Sequence, residues 1–336
     1  MSRFIRASLS PRNGILAATA GALFFIAPGA LSPYALITLC YALVFAIACL
    51  GLNLLFGTTG LLSLGHATFF GVGAYTGAFL YRFFGLESFE LYLLSGIVAS
   101  TLFAAVIGFL CLRATRIHFS ILTLAFGQIL HSLVIDGALF RLFGPLGWAL
   151  YLLAGGSLYI PILTILGTQY SPGQFTAVFY YVIVAAFFGA VFLLWRISRS
   201  PFGIALRAIR DNETRAVHIG IPVRRYRWYA FILSGAVMGL AGALHGQLNR
   251  QITPQQLDWL FSAELVLATV LGGSRDFIGP VLGAFVFVGL EEISERWPWG
   301  RSALMGSLLI LVVLLFPRGF AGAARLGIDR IRRLKS

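Results

Sequence analysis

The chain has 336 residues, 59% of them hydrophobic and only 11% charged, with a formal charge of +13 and a mean hydropathy of +0.88. Repeated apolar stretches, each near the ~20 residues that cross a bilayer, leave no room for a sizeable soluble domain. The basic residues sit at the ends of those stretches, where membrane topology accounts for them, so nucleic-acid binding is not expected.

Taken in chain order, the predicted spans cover residues 14–31, 33–56, 60–83, 89–112, 117–136, 174–196, 228–248, 260–274, 278–295 and 301–316. The fold class is therefore an all-α polytopic membrane protein of about ten transmembrane helices forming a single domain over 1–336. Residues 1–13 form a basic cytoplasmic N-terminus and 317–336 a basic cytoplasmic tail. With both termini inside, twenty basic residues fall on the cytoplasmic side and five outside, namely Arg82, Arg141, Arg250, Arg296 and Arg301. That bias holds loop by loop, as the positive-inside rule requires.

The first apolar run, behind Arg3, Arg6 and Arg12, reads as an uncleaved anchor, because further spans follow it. Cys40, Cys49 and Cys111 all lie within apolar runs, and no disulfide framework or metal cluster follows from them. Glycines recur at four-residue spacing inside the spans, at Gly73 and Gly77, Gly235 and Gly239, Gly242 and Gly246, and Gly279 and Gly283. Such spacing lets helix backbones approach closely in a bilayer, and here it reads as bundle packing. In the third span Ser63 and His66 lie in a Gly-rich start, as in the interrupted segments of transporters, where polar side chains satisfy freed backbone groups or line a path.

On the fifth span Gln128 and His131 share a helix face, with Thr123 more than a turn away toward the cytoplasm. Two readings fit these polar groups: the wall of a solute path, or interhelical hydrogen bonds. Residues 137–173, interrupted by Gly and Pro, are expected to form an outer loop holding one or two short interfacial or re-entrant helices.

Residues 198–227, SRSPFGIALRAIRDNETRAVHIGIPVRRYR, form an Arg-dense cytoplasmic loop. Within it Asp211 is the expected N-cap of a short helix of about two turns, Glu213 puts negative charge in its first turn, and Gly220 and Pro222 end it. Its residue pattern fits equally a partner-docking helix or a solvated loop whose arginines touch anionic lipid. Glu264, about one turn below the outer end of the eighth span, is costly there without a partner or a water-filled vestibule.

The only lysine is Lys335, so no phosphate-binding loop of the kind that ends in Lys exists in the chain. No metalloprotease helix or nucleophile elbow is present either. The chain is accordingly not expected to be an enzyme, and if it moves anything uphill the energy must come from another subunit or an ion gradient.

Four stretches carry a family resemblance: GLNLLFGTTGLLSLGHATFFGVGAYTGA at 51–78, RIHFSILTLAFGQIL at 116–130, SPFGIALRAIRDNETRAVHIGI at 200–221, and the run from ILSGAVMGLAGAL at 232–244 through ELVLATVLGGSRDFIGPVLGA at 264–284. In this order they resemble the permease subunits of branched-chain amino acid ABC importers, of the LivM type in the LivH/LivM pair. The resemblance implies a bacterial inner-membrane subunit paired with a homologous LivH-like permease, two cytoplasmic ATPases that use ATP and Mg²⁺, and a periplasmic substrate-binding protein. It also makes the stretch around Arg207, Asp211, Asn212, Glu213, Ala216 and Gly220 the segment that couples to the ATPase. Ser63, His66, Thr123, Gln128, His131 and Glu264 become the candidate path residues.

The chain departs from the family where a Thr-Gly-Gly run usually follows the fifth span; here it reads GALFRLFGPLGWALYLLAGGS. That leaves branched-chain or related amino acids beside urea, amides and small carboxylates as solutes. Outside the family, a gradient-driven secondary transporter would need mid-bilayer acids and bases, of which Glu264 is a shallow instance. A passive channel would conduct without any ATPase.

Overall fold

The computed structural model describes residues 27–114, 116–137 and 157–295, with isolated positions elsewhere. Its helices are α1 (Pro33–Thr59), α2 (His66–Phe84), α3 (Phe89–Cys111), α4 (Arg116–Ile135), α5 (Pro172–Arg199), α6 (Pro201–Asp211), α7 (Glu213–His218), α8 (Val223–Asn249), α9 (Trp259–Gly272) and α10 (Gly279–Glu295). Five of them, α1, α3, α4, α5 and α8, are long and apolar enough to cross a membrane. The protein is an all-helical, multi-pass membrane protein. The spans predicted at 14–31 and 301–316 lie largely outside the described residues.

The helix ends follow from local chemistry. Ser32 caps α1 by accepting from the Ala35 N–H at 3.3 Å, Pro33 occupies the first turn, and Gly60, at φ 73°, closes it. The chain then runs without helix until His66, so the third predicted span begins six residues later than the sequence reading placed it. The seventh begins five residues earlier, at Val223, which puts Arg224, Arg225 and Arg227 on α8 rather than in the preceding loop. Apolar-run length locates the hydrocarbon core of a helix but says nothing about how far polar turns extend it into the interface.

The bundle is organised around α8, which packs against α1, α2 and α3. Small residues permit this. A Cβ at Gly242 would lie 2.7 Å from the Phe70 carbonyl carbon, and one at Gly73 would lie 2.7 Å from the Gly239 Cα. In α3 the buried face carries Tyr92, Gly96, Ser100, Ala104 and Gly108. Leu94, Val98, Leu102, Val106 and Phe109 lie on the outward face. Large apolar groups point out and small or polar ones point in, the reverse of a water-soluble helix, because lipid accepts the former and close helix contact needs the latter.

At one end of the bundle β1 (Leu158–Tyr159) pairs antiparallel with β2 (Gln251–Ile252), Leu158 opposite Ile252. Here residues 157–171, part of the segment expected to hold short helices, are extended and turn-like instead. Their backbone groups find partners along other segments: Ile160 N–H donates to Arg250 O at 2.9 Å and Phe89 N–H to Thr164 O at 2.9 Å. Residues 145–156 lie outside the described residues.

Candidate functional site

The two ends of the bundle differ in charge. One gathers Arg113, Arg199, Arg207, Arg210, Arg215, Arg224, Arg227 and Arg275, at the close of α3 and α5, through α6 and α7, at the start of α8 and in the turn between α9 and α10. The other carries Glu87, Glu90, Asp258, Glu264, Glu291 and Glu292.

At the arginine-rich end, Ser200 breaks α5 and caps α6, its Oγ accepting from the Gly203 N–H at 3.3 Å. Gly203 allows the turn to double back, since a Cβ there would meet the Ile197 and Ser198 carbonyls at 2.5 Å. Leu206 and Ile209 bury the inner face of α6. Arg207 Nη1 donates to Ser198 O at 2.8 Å, while Arg210 Nη1 donates to Gly57 O at 2.6 Å and so ties α6 to the end of α1. This eleven-residue helix was not anticipated from the sequence. Its signal was legible in the Ser-Pro start and the apolar spacing of Phe202, Leu206 and Ile209.

The predicted short helix is present as α7, but its cap is Asn212 and not Asp211. Asn212 is the extended residue, at φ −157°, and its Oδ1 accepts from the Arg215 N–H at 2.9 Å. Asp211 is instead the last residue of α6, its carboxylate held by Arg210 at 3.1 Å. Ala216 is buried, turning α7 onto the bundle. Gly220 ends the helix at φ 85°: its N–H donates to Val217 O and that of Ile221 to Ala216 O, the paired closure that a left-handed residue makes possible. Val217 and Ile219 face outward.

Glu213 does more than complement the helix dipole. Its two carboxylate oxygens accept from Arg227 Nη1 and Nη2 at 2.6 and 2.8 Å, binding α7 to the first turns of α8. Seven residues further along α8, Ser234 Oγ donates to Gly51 O at 2.6 Å and accepts from His66 Nε2 at 2.7 Å. His66, fully buried at the start of α2, therefore carries its proton on Nε2. Ser63 and Thr123 belong to the same region. Ser63 is fully buried, and among the described residues its hydroxyl has no partner; Thr123 Oγ1 donates to Ser120 O at 2.9 Å beside Gly65.

At the acidic end a cavity of about 710 Å³ opens between α1, α8, α9 and α10. Tyr34, Tyr41, Phe45, Phe70 and Phe261 give it aromatic walls, and His245 and Asn249 of α8 with Asp258, Glu264, Glu291 and Glu292 give it polar ones. Tyr34 donates to Glu292 at 2.7 Å. Of the candidate path residues only Glu264 lines this cavity; Gln128 reaches its rim indirectly, donating to Asp258 at 3.2 Å. His131, also on α4, is half-buried and does not line it. Ser63, His66 and Thr123 thus gather in one place, Glu264 and Gln128 at another, and His131 belongs to neither. The aromatic and acidic cavity walls were missed because their residues are separated by more than 250 positions in the chain and share no local pattern. Among the described residues no group of three or more His, Cys, Asp or Glu is placed to hold a metal ion.

Comparison with known proteins places this geometry in context. A family model described as branched-chain amino acid transport system / permease component matches residues 34–316. The high-affinity branched-chain amino acid transport system permease protein LivM of Escherichia coli (strain K12) is 27% identical over 296 residues, 84% of this chain and 69% of that protein. The corresponding LivH protein of Salmonella typhimurium is 22% identical over 295 residues, 83% of this chain and 91% of that protein. The autoinducer 2 import system permease protein LsrC of Shigella flexneri is 29% identical over 152 residues, 43% of each chain. No solved structure matches.

Proposed function

This chain belongs to the branched-chain amino acid transport permease family, and from that premise we propose that it is the membrane-spanning permease subunit of an ATP-driven importer for branched-chain or related amino acids. In this reading it sits in a bacterial inner membrane with about ten spans, both termini and the arginine-rich end facing the cytoplasm, in keeping with the positive-inside rule. It pairs with a homologous permease. Two cytoplasmic ATPases bind and hydrolyse ATP with Mg²⁺, and a periplasmic binding protein delivers the solute to the acidic end.

The observation that carries the proposal is the continuity of α8. Its 27 residues extend ~40 Å at 1.5 Å per residue, from Arg227, clamped to α7, to His245 and Asn249 in the cavity wall. The outward Val217 and Ile219 on and beside α7 offer an apolar contact for an ATPase cleft. A partner that displaces α7 pulls on the start of α8 through a bidentate ion pair, and a packed helix transmits that displacement to its far end. ATP-driven closure would in this way shift the bundle between inward-open and outward-open states.

Affinity purification of the native assembly tests this directly. An ATPase and a second permease should co-purify, and the chain alone in liposomes should not concentrate solute. Accumulation by the isolated chain would refute the proposal.

A further inference from the structure

On the outer side of the bundle, at its arginine-rich end, two positive charges meet over one aromatic ring. Leu102, Val106, Phe109 and Arg113 follow one another at spacings of four, three and four residues, which places them along a single face of α3 and its exit. That face is turned outward, with Phe109 half exposed in the last turn of the helix. The Arg113 Cζ lies 4.9 Å from the centroid of the Phe109 ring, and the Arg224 Cζ, from the first turn of α8, lies 5.6 Å from it. The two guanidinium groups can therefore be no further apart than those distances combined. Packing fixes the seam that brings them together: Trp228 Nε1 donates to Ala105 O at 2.9 Å, and a Cβ at Gly108 would lie 2.7 Å from Phe231 Cδ1.

The chain does not neutralise this pair from the acids beside it. Asp211 is held by Arg210 and Glu213 by Arg227, and among the described residues neither Arg113 nor Arg224 forms an ion pair. Both are exposed. Like charges gathered at the edge of a low-dielectric region repel one another and draw an anion between them. Guanidinium forks match the oxygens of a phosphate, and the apolar face running from Phe109 through Val106 to Leu102 leads from that point into the hydrocarbon layer. An anion that suits both features carries its phosphate on an acyl chain.

We propose that Arg113, Phe109 and Arg224 form a binding site for an anionic phospholipid in the leaflet at the arginine-rich end, its phosphate bridging the two guanidinium groups and an acyl chain lying along Val106 and Leu102. Basic pockets between membrane helices hold anionic headgroups in this way. The exposed Tyr229 ring, beside Trp228 on α8, sits at the same level as an interfacial anchor. The site requires only that the chain spans a bilayer, so it stands or falls apart from the importer reading.

Native mass spectrometry of the full chain in a mild non-ionic detergent tests it, with phosphatidylglycerol and phosphatidylcholine of identical acyl chains as the probes. Combining Arg113→Gln with Arg224→Gln should lower the ratio of retained phosphatidylglycerol to phosphatidylcholine roughly 10-fold from that of the parent. Removing two other exposed arginines of the same end, Arg196→Gln with Arg275→Gln, should leave the ratio largely unchanged. Equal losses in the two double variants would show that retention follows net charge and overturn the site, as would an unchanged ratio in the first. Arg113→Lys with Arg224→Lys, which keeps the charges and loses the planar forks, should give an intermediate ratio and serves should the Gln pair fail to fold; a parental ratio there overturns the two-fork geometry. Displacement of the lipid by excess inorganic phosphate would reduce the pair to a site for free anions. Loss of the lipid when ATPase subunits are bound would assign the arginines to a protein contact, and either result overturns the proposal.

Discussion

Replacing Arg227 with Gln should uncouple ATP hydrolysis from uptake while leaving the bundle intact. The residue makes two charge-assisted hydrogen bonds to Glu213, at 2.6 and 2.8 Å, with its side chain 11% exposed and that of Glu213 39% exposed. A hydrogen bond to a charged group nets about 1.5–3 kcal/mol, and an exposed ion pair about 0–1 kcal/mol. Glu213, more than a third exposed, places this pair between those regimes, so we expect about 2 kcal/mol. That corresponds to a shift of roughly 30-fold in the population of α7 held against α8, at 1.4 kcal/mol per factor of ten. In proteoliposomes containing the complete transporter, uptake per ATP hydrolysed should fall by about an order of magnitude in Arg227→Gln, and by less in Arg227→Lys, which keeps the charge but loses the two-point geometry. The companion variant Glu213→Gln should add little to Arg227→Gln. Additive losses in the double variant, an interaction energy below about 0.5 kcal/mol, would show that the two side chains act separately and refute the clamp.

Other consequences follow from local geometry. With the chain expressed without ATPase subunits, a thiol at Val217→Cys should react with membrane-impermeant reagents in inverted vesicles and not in intact cells; the opposite pattern would reverse the topology. Gly242→Ala would push a methyl group onto the Phe70 carbonyl and force α2 and α8 apart, at a cost of about 1–3 kcal/mol, read as a lower unfolding temperature in detergent. Ser234→Ala leaves the His66 Nε2–H without its acceptor in a fully buried site, a loss of about 1–3 kcal/mol by the same assay, and His66→Leu in that background should recover part of it. Asn212→Ala should cost α7 about 1 kcal/mol and Asn212→Asp almost nothing, seen as faster or unchanged amide exchange over residues 213–218.

How much of this was legible in the chain varies by residue. The ends of α7 were readable to within one position. Gly220 announces a left-handed stop, but Asp211 and Asn212 are both good caps, and the choice between them depends on where α6 ends, which is set by Leu206 and Ile209 packing onto the bundle. Glu264 was identified as a carboxylate in need of a partner or a water-filled vestibule, and the structure places it in a cavity wall. Glu291 and Glu292 were not singled out, because their proximity to Glu264 depends on α10 folding back beside α9.

The sequence by itself determined the class of molecule, the approximate course of the long apolar helices and the charge asymmetry of the loops. These depend on run length, caps and charge near a span end, all of which act within one or two helical turns. Only the tertiary structure decided that Arg227 holds Glu213, that Ser234 joins α8 to both Gly51 and His66 across 183 and 168 positions, and that four carboxylates share one cavity. Such pairings depend on which helix faces meet, and that is settled by the close approaches at Gly73, Gly239 and Gly242, where the absence of a side chain allows two backbones to touch.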